Sequence, residues 1–284
     1  GAPPEVNTKQ WENQKHLYTL EEGVYVAPRA PTDTWNLWHQ AHIDPMFERL
    51  IENMIVFEGV NPNKVYIIGY SAGGDGVFQL APRMSDRLAG AGMMAGHPNE
   101  TKPEGLRNLP FALHMGANDG AYDRNTIATQ WKQSLEDLQL EDTEGYVHQA
   151  VIHEGKGHWM DRQEAMALPW LAKHERNPNP RTVVWVQDDV LHDQMYWLGV
   201  PTPKERTKIV ASFDGQTITI HESDVETITV YLNDSMLDLD KPVLLNYKDR
   251  ELGSYEVVRS QQVITETLRD GEDWYSATLT FSLP

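Results

Sequence analysis

The 284-residue chain contains no cysteine. Disulfide frameworks, thiolate zinc sites and cysteine nucleophiles are thereby excluded. It has no run of 18 apolar residues, so it encodes no helix of bilayer-spanning length. Basic residues are scarce, with 24 Lys and Arg against 42 Asp and Glu and a formal net charge of −18. That sign is wrong for a nucleic-acid or anionic-membrane binder, and neither partner is expected. The acidic residues are dispersed rather than blocked, as on a solvated surface. No phosphate loop, dinucleotide fingerprint or HExxH pair occurs, so neither a cofactor nor a metal is expected.

What is present is globular in composition: 40% apolar residues and 20 glycines. The length fits one large or two unequal domains. Residues 1–200 alternate apolar runs with helical stretches. Gly23 to Ala27 reads as a buried strand ended by Pro28. Asp44-Pro45 reads as a helix cap followed by proline at the first helical position, with Phe47, Leu50, Ile51, Met54 and Ile55 at helical spacing. Asn61-Pro62 breaks that helix. Strands follow at Lys64 to Tyr70, Gly90 to Ala95, Pro110 to Met115 and Tyr146 to His153. Strands separated by helices imply an α/β fold with a parallel sheet. Residues 204–284 change pattern to short strands joined by polar turns, with Asp214-Gly215 as a hairpin signal. They are expected to form a small all-β sandwich. It carries 15 Asp and Glu against 7 Lys and Arg from Glu205 onward and no carbohydrate-binding signature. It is expected to dock on the first domain near Trp185, Tyr196 and Trp197.

The chemistry-bearing pattern is Gly69-Tyr70-Ser71-Ala72-Gly73, directly after one strand and before a helix. A turn this tight crowds the neighbours of its central residue, which argues for glycine two positions to either side. The Ser71 hydroxyl is then held over a helix amino terminus, where Ala72 offers a backbone N–H to a developing oxyanion. A serine hydroxyl needs a base. His158 lies in the glycine-containing loop Gly155 to His158, just after the last apolar strand, where such a base belongs. His153, His97 and His114 read as packed residues. The acid should follow the strand ending at Met115, and Asp119 is preferred over Asp123, the latter being left to cap the next helix. A metal reading of His153, His158 and Asp161 lacks two ligands on one helical turn and is set aside.

GYSAG, GAND and GKGH occur in the order, and at the strand ends, that resemble the α/β-hydrolase superfamily. Within it, GKGH followed by Trp159 looks most like poly(3-hydroxybutyrate) depolymerases and feruloyl or acetylxylan esterases. The likeness covers about residues 20–175. It implies Ser71 as nucleophile, Asp119 as acid, His158 as base and Ala72 as oxyanion donor in a serine esterase working through an acyl-enzyme. Peptidases of the prolyl-oligopeptidase type share these signatures, and a non-catalytic binding protein on the same scaffold is the other alternative. Trp35, Trp38 and Trp159 are candidates for an aromatic wall against a phenolic or polymeric ester. Such esterases are commonly exported, so a secreted or periplasmic location is expected.

One departure from the resemblance stands out. The fold normally has about three strands and a glycine-rich oxyanion loop before the serine strand, whereas only Val24 to Ala27 reads as a strand ahead of Lys64. The chain begins Gly-Ala-Pro-Pro without an initiator Met. The expectation is therefore that a segment N-terminal to Gly1 completes the sheet and the oxyanion hole, with Gly1 within about 10 Å of Ser71.

Overall fold

The computed structural model describes residues 3–268 and 274–284. The expected proximity of Gly1 to Ser71 lies outside the described residues. The chain opens with α1 (Pro4–Gln14) and runs through irregular structure to α2 (Ile43–Glu58). It then alternates through β1 (Tyr66–Tyr70), α3 (Ala72–Arg83), β2 (Gly90–Met94), β3 (Phe111–Gly116), α4 (Arg124–Glu141), β4 (His148–His153) and α5 (Ala167–Leu171). The four strands are parallel in the order β1-β2-β3-β4, with Tyr70 beside Met94, Met94 beside His114 and Gly116 beside His153. Their carboxyl ends therefore meet along one rim. Every residue of β2 and β3 is buried, which is why both read as near-continuous apolar runs. Val77, Phe78 and Leu80 of α3 and Trp131 and Leu135 of α4 cover one face. Tyr18, Met160 and Leu171 close the other over Met94 and Ala112.

The expected strand from Gly23 to Ala27 does not form. Val24 and Val26 are exposed while Tyr25 packs inward, so the run is not buried on both faces and joins no ladder. β1 is therefore an edge of the sheet. Asp44 is not a helix cap either. Its helix starts one residue earlier without a side-chain cap, and its buried carboxylate is held by Arg83 at 3.1 Å and by His192 at 2.9 Å. The helix ends at Gly59, in a left-handed conformation (φ 66°), before the Asn61-Pro62 break.

The remaining elements are β5 (Thr182–Val186), β6 (Gln194–Met195), β7 (Leu198–Gly199), β8 (Lys208–Asp214), β9 (Thr217–Ser223), β10 (Thr227–Leu232), β11 (Val243–Tyr247), β12 (Arg250–Tyr255), α6 (Gln261–Thr267) and β13 (Ala277–Ser282). Apart from α6, they form two sheets. One is mixed, in the order β12-β11-β9-β8-β5, because β11 runs parallel to β9. The other is antiparallel, in the order β13-β10-β7-β6. Alternate residues of β8 and β10 are buried, and one core draws on both sheets through Val183, Trp185, Leu198, Ile209, Ile218 and Val230. The Asp214-Gly215 signal is realised as a hairpin in which Asp214 pairs with Thr217 and Gly215 takes φ 55°.

The sequence boundary at 200–204 falls inside this assembly. β5, β6 and β7 precede it, yet β5 pairs with β8 and β7 pairs with β10. The three aromatic residues expected near the junction, Trp185, Tyr196 and Trp197, all lie within the second core. Tyr196 reaches the first region, where its hydroxyl donates to the Ser85 carbonyl at 2.6 Å.

Candidate functional site

β1 ends at Tyr70, and the chain turns into α3 through Ser71, whose φ of 56° and ψ of −121° are strained for a residue other than glycine. Ser71 N–H donates to the Met94 carbonyl at 2.9 Å, and its own carbonyl accepts from Asp75 N–H at 2.9 Å. The amides of Ala72, Gly73 and Gly74 precede that first intrahelical bond, so they face the serine side of the helix terminus unpaired within the helix. The glycine argument holds on one side only. A Cβ on Gly69 would lie 2.0 Å from the Gly73 carbonyl oxygen, whereas a Cβ on Gly73 would meet nothing within 4 Å. The second steric demand falls on Gly74, where a Cβ would come within 2.6 Å of the Met94 carbonyl oxygen. The crowding arises because β1 and β2 both press on the start of α3.

The acid loop leaves β3 and the histidine loop leaves β4, and the two are stitched together. Ala117 N–H donates to the His153 carbonyl at 3.0 Å and Asn118 N–H to the Lys156 carbonyl at 2.7 Å. A Cβ on Gly116 would stand 2.0 Å from the Gly157 carbonyl oxygen, so only glycine permits this approach. The outcome is a connected line of side chains. Ser71 Oγ lies 2.9 Å from His158 Nε2, and His158 Nδ1 lies 2.7 Å from Asp119 Oδ2. Asp119 is buried, while the His158 side chain is 45% exposed and reachable from solvent. With the acid ionised, the ring proton belongs on Nδ1, which leaves Nε2 free to accept from the serine hydroxyl. Asp123 is exposed and in a left-handed conformation at the start of α4, and its side chain makes no cap hydrogen bond.

The other histidines separate from this line. His114 and His153 are buried and stacked, with Nδ1 of the first 3.0 Å from Nε2 of the second. Burial, and then the neighbouring His153, pull the His114 pKa down to about 4. Burial also lowers that of His153. Asp161 is paired with Lys156 at 2.7 Å, so His153, His158 and Asp161 do not converge. Among the described residues one group of carboxylates, Glu100, Asp188 and Asp189, has metal-ligand spacing within 4.8 Å. Arg206 offsets part of its charge, 2.6 Å from Asp188 and 3.7 Å from Glu100.

The three tryptophans are not equivalent. Trp159 is half-exposed beside His158, with its ring 5.8 Å from that of Tyr70. Trp38 is stacked on Phe47 at 5.7 Å and seats against Gly76 of α3, while Trp35 is exposed. Sequence reasoning passed over Tyr70 and Arg124. Tyr70 touches the histidine loop, and the Arg124 guanidinium stands 3.9 Å from Asp119 and 4.9 Å from the Tyr122 ring. Tyr70 sits inside the serine motif, which is the one signal that could have drawn notice to it.

No family model matches the chain, and no curated protein matches it. Several solved structures are similar. Esterase PE8 is 17% identical, over 50% of this chain and 66% of its own, with a TM-score of 0.37. A thermostable esterase is 19% identical, over 46% and 37% of the two chains, with a TM-score of 0.35. A carboxylesterase from Mesorhizobium loti is 18% identical, over 46% and 60%, with a TM-score of 0.34. The chain thus spans less than two thirds of the length of each. In its four parallel strands and its strand–serine–helix turn, the chain resembles the α/β-hydrolase superfamily.

Proposed function

We propose that the protein is a serine hydrolase that cleaves carboxylic esters through an acyl-enzyme. The observation that carries this reading is the unbroken line from Ser71 Oγ through the His158 ring to Asp119, set on a strained strand–helix turn. In the proposed cycle His158 Nε2 takes the serine proton as Oγ attacks the ester carbonyl. It then returns that proton to the leaving alcohol, and water repeats the sequence to release the acid. Asp119 holds the Nδ1–H tautomer and stabilises the imidazolium. Ala72 N–H donates to the oxyanion. A single such donor leaves the tetrahedral species about 2.7–4 kcal/mol short of a two-donor hole. In this reading the second N–H comes from a segment that pairs along the edge strand β1. Support for it comes from the edge position of β1.

Trp159 is the tryptophan best sited to contact an acyl or alcohol group, being exposed next to the base. The two sheets that share the second core are, in this reading, the layers of an accessory sandwich whose first strand is β5. The test is direct. Ser71→Ala should abolish p-nitrophenyl acetate turnover in a folded protein, and a fluorophosphonate should label the wild type at Ser71 alone. Turnover retained by the variant would refute the assignment.

A further inference from the structure

Between His153 and Met160 the histidine loop has few ties. Lys156 N–H donates to the His153 carbonyl and the Lys156 carbonyl accepts from Asn118 N–H, but among the described residues 157–159 make no backbone–backbone hydrogen bond. Gly155 and Gly157 add freedom, Gly155 at φ 72°. The contact with Asp119 fixes the rotation of the His158 ring but not the position of the backbone that carries it. That position is fixed by another side chain. Tyr70 Oη donates to the His158 carbonyl at 2.6 Å and accepts from Met160 N–H at 3.2 Å, bracketing the residue at both ends. Its ring meets the imidazole edge-on, with centroids 6.0 Å apart, and leans on Trp159. Burial pushes the Tyr70 phenol up to about 12, so the donor is retained throughout the neutral range.

Tyr70 is also the residue immediately before Ser71. The strand end that delivers the nucleophile thus grips the loop that delivers the base. We propose that Tyr70 is a positioning residue: its hydroxyl pins the 158–160 turn to β1 and so sets the separation between Ser71 Oγ and His158 Nε2. A phenylalanine at this position would keep the ring packed against the cluster that contains Tyr18, Met94 and Met160 but lose both hydrogen bonds. The inference rests on the serine-hydrolase reading above.

The experiment compares the wild type, Tyr70→Phe and Ser71→Ala in p-nitrophenyl acetate hydrolysis and in the rate of fluorophosphonate labelling. A misplacement of the base by a fraction of an ångström is expected to lower kcat about ten- to a hundredfold. The labelling rate should fall by a similar factor, while KM and the near-ultraviolet circular dichroism stay at wild-type values. Because both readouts report activation of Ser71, a role in packing alone would not move them with the fold intact. Tyr70→Ala provides the control for the ring: if Tyr70→Phe restores wild-type kcat relative to it, packing accounts for Tyr70 and the proposal fails. A rise in KM alone would overturn it as well. Turnover retained by Ser71→Ala would instead bring down the hydrolase reading itself, and the two failures are therefore distinct.

Discussion

Asp44 and His192, 148 residues apart in the chain, meet at 2.9 Å between Oδ2 and Nε2. The other carboxylate oxygen of Asp44 faces the Arg83 guanidinium at 3.1 Å, and both of these side chains are almost wholly buried. One acid at the start of α2 thus holds a helix of the first sheet and the loop that follows β5.

Removing it strands a buried guanidinium, so Asp44→Ala should destabilise the protein by about 3–5 kcal/mol in urea unfolding. A loss below about 1 kcal/mol, the range of an exposed pair, would show that the pair is no more than a surface contact.

The same contact sets a pH dependence. Burial alone would lower the His192 pKa, but the hydrogen bond to Asp44 and its charge outweigh that, and the net direction is up. A raised folded pKa gives stability that is complete below the unfolded value near 6.5 and is lost as pH rises through the folded value. The stability difference between the wild type and His192→Gln should therefore shrink as unfolding is measured from about pH 6 toward pH 9. A constant difference would contradict this.

His114 acts with the opposite sign. Its pKa is depressed to about 4 by burial, so its contribution is complete above the unfolded value near 6.5 and is lost as pH falls through about 4. The loss amounts to about 3 kcal/mol at most. Wild-type protein should weaken between these limits while His114→Gln, which cannot titrate, weakens less. Denaturant midpoints at the two ends of the window decide the matter.

The two aspartates of the acid loop are separable by kinetics. Asp119→Asn is expected to lower kcat by about 10⁴, because the amide favours the wrong histidine tautomer. Asp123 is exposed and makes no cap hydrogen bond, so Asp123→Asn should stay near wild type. The reverse order would reassign the acid.

At the serine turn, Gly69→Ala forces a methyl to within 2.0 Å of a carbonyl oxygen and should cost about 1–3 kcal/mol along with most of the activity. Gly73→Ala enters open space in the first turn of α3 and should leave stability unchanged or raise it by about 0.5–1 kcal/mol. Thermal melts of the two variants make the comparison.

What could be read from residues alone follows physical lines. β2, β3 and the serine turn were legible because central parallel strands are buried on both faces and the turn demands glycine at Gly69. Ser71, Asp119 and His158 were legible because each sits just past a strand end, and parallel register brings those ends to one rim. β12 leaves no apolar run to read, because it is an edge strand with no buried residue. β5 lies on the far side of the expected 200–204 boundary from its partner β8, and no local signal links the two, because a strand's sequence records its burial but not its partner. Asp44-Pro45 carried a cap signature, yet the carboxylate served Arg83 and His192 instead, a long-range use with no local signal. Tyr70 was hidden for the same reason, since its hydroxyl acts 88 residues away in sequence.

Tyr196 and Trp197 are adjacent in sequence and both belong to the second core, but their polar atoms reach different partners. Tyr196 bonds to Ser85 in the first region, and Trp197 is fully buried in the second core with its indole N–H on the Pro180 carbonyl. Just beyond them Lys204, Glu205 and Arg206 are exposed, a place for trypsin to cut. Such a cut would break no strand pair, because the β5–β8 and β7–β10 ladders both bridge it. The nicked protein should therefore migrate as two fragments under denaturing conditions and as one particle under native ones. In that state the severed peptide bond is dispensable, and the ladders and the core they share keep the fragments together.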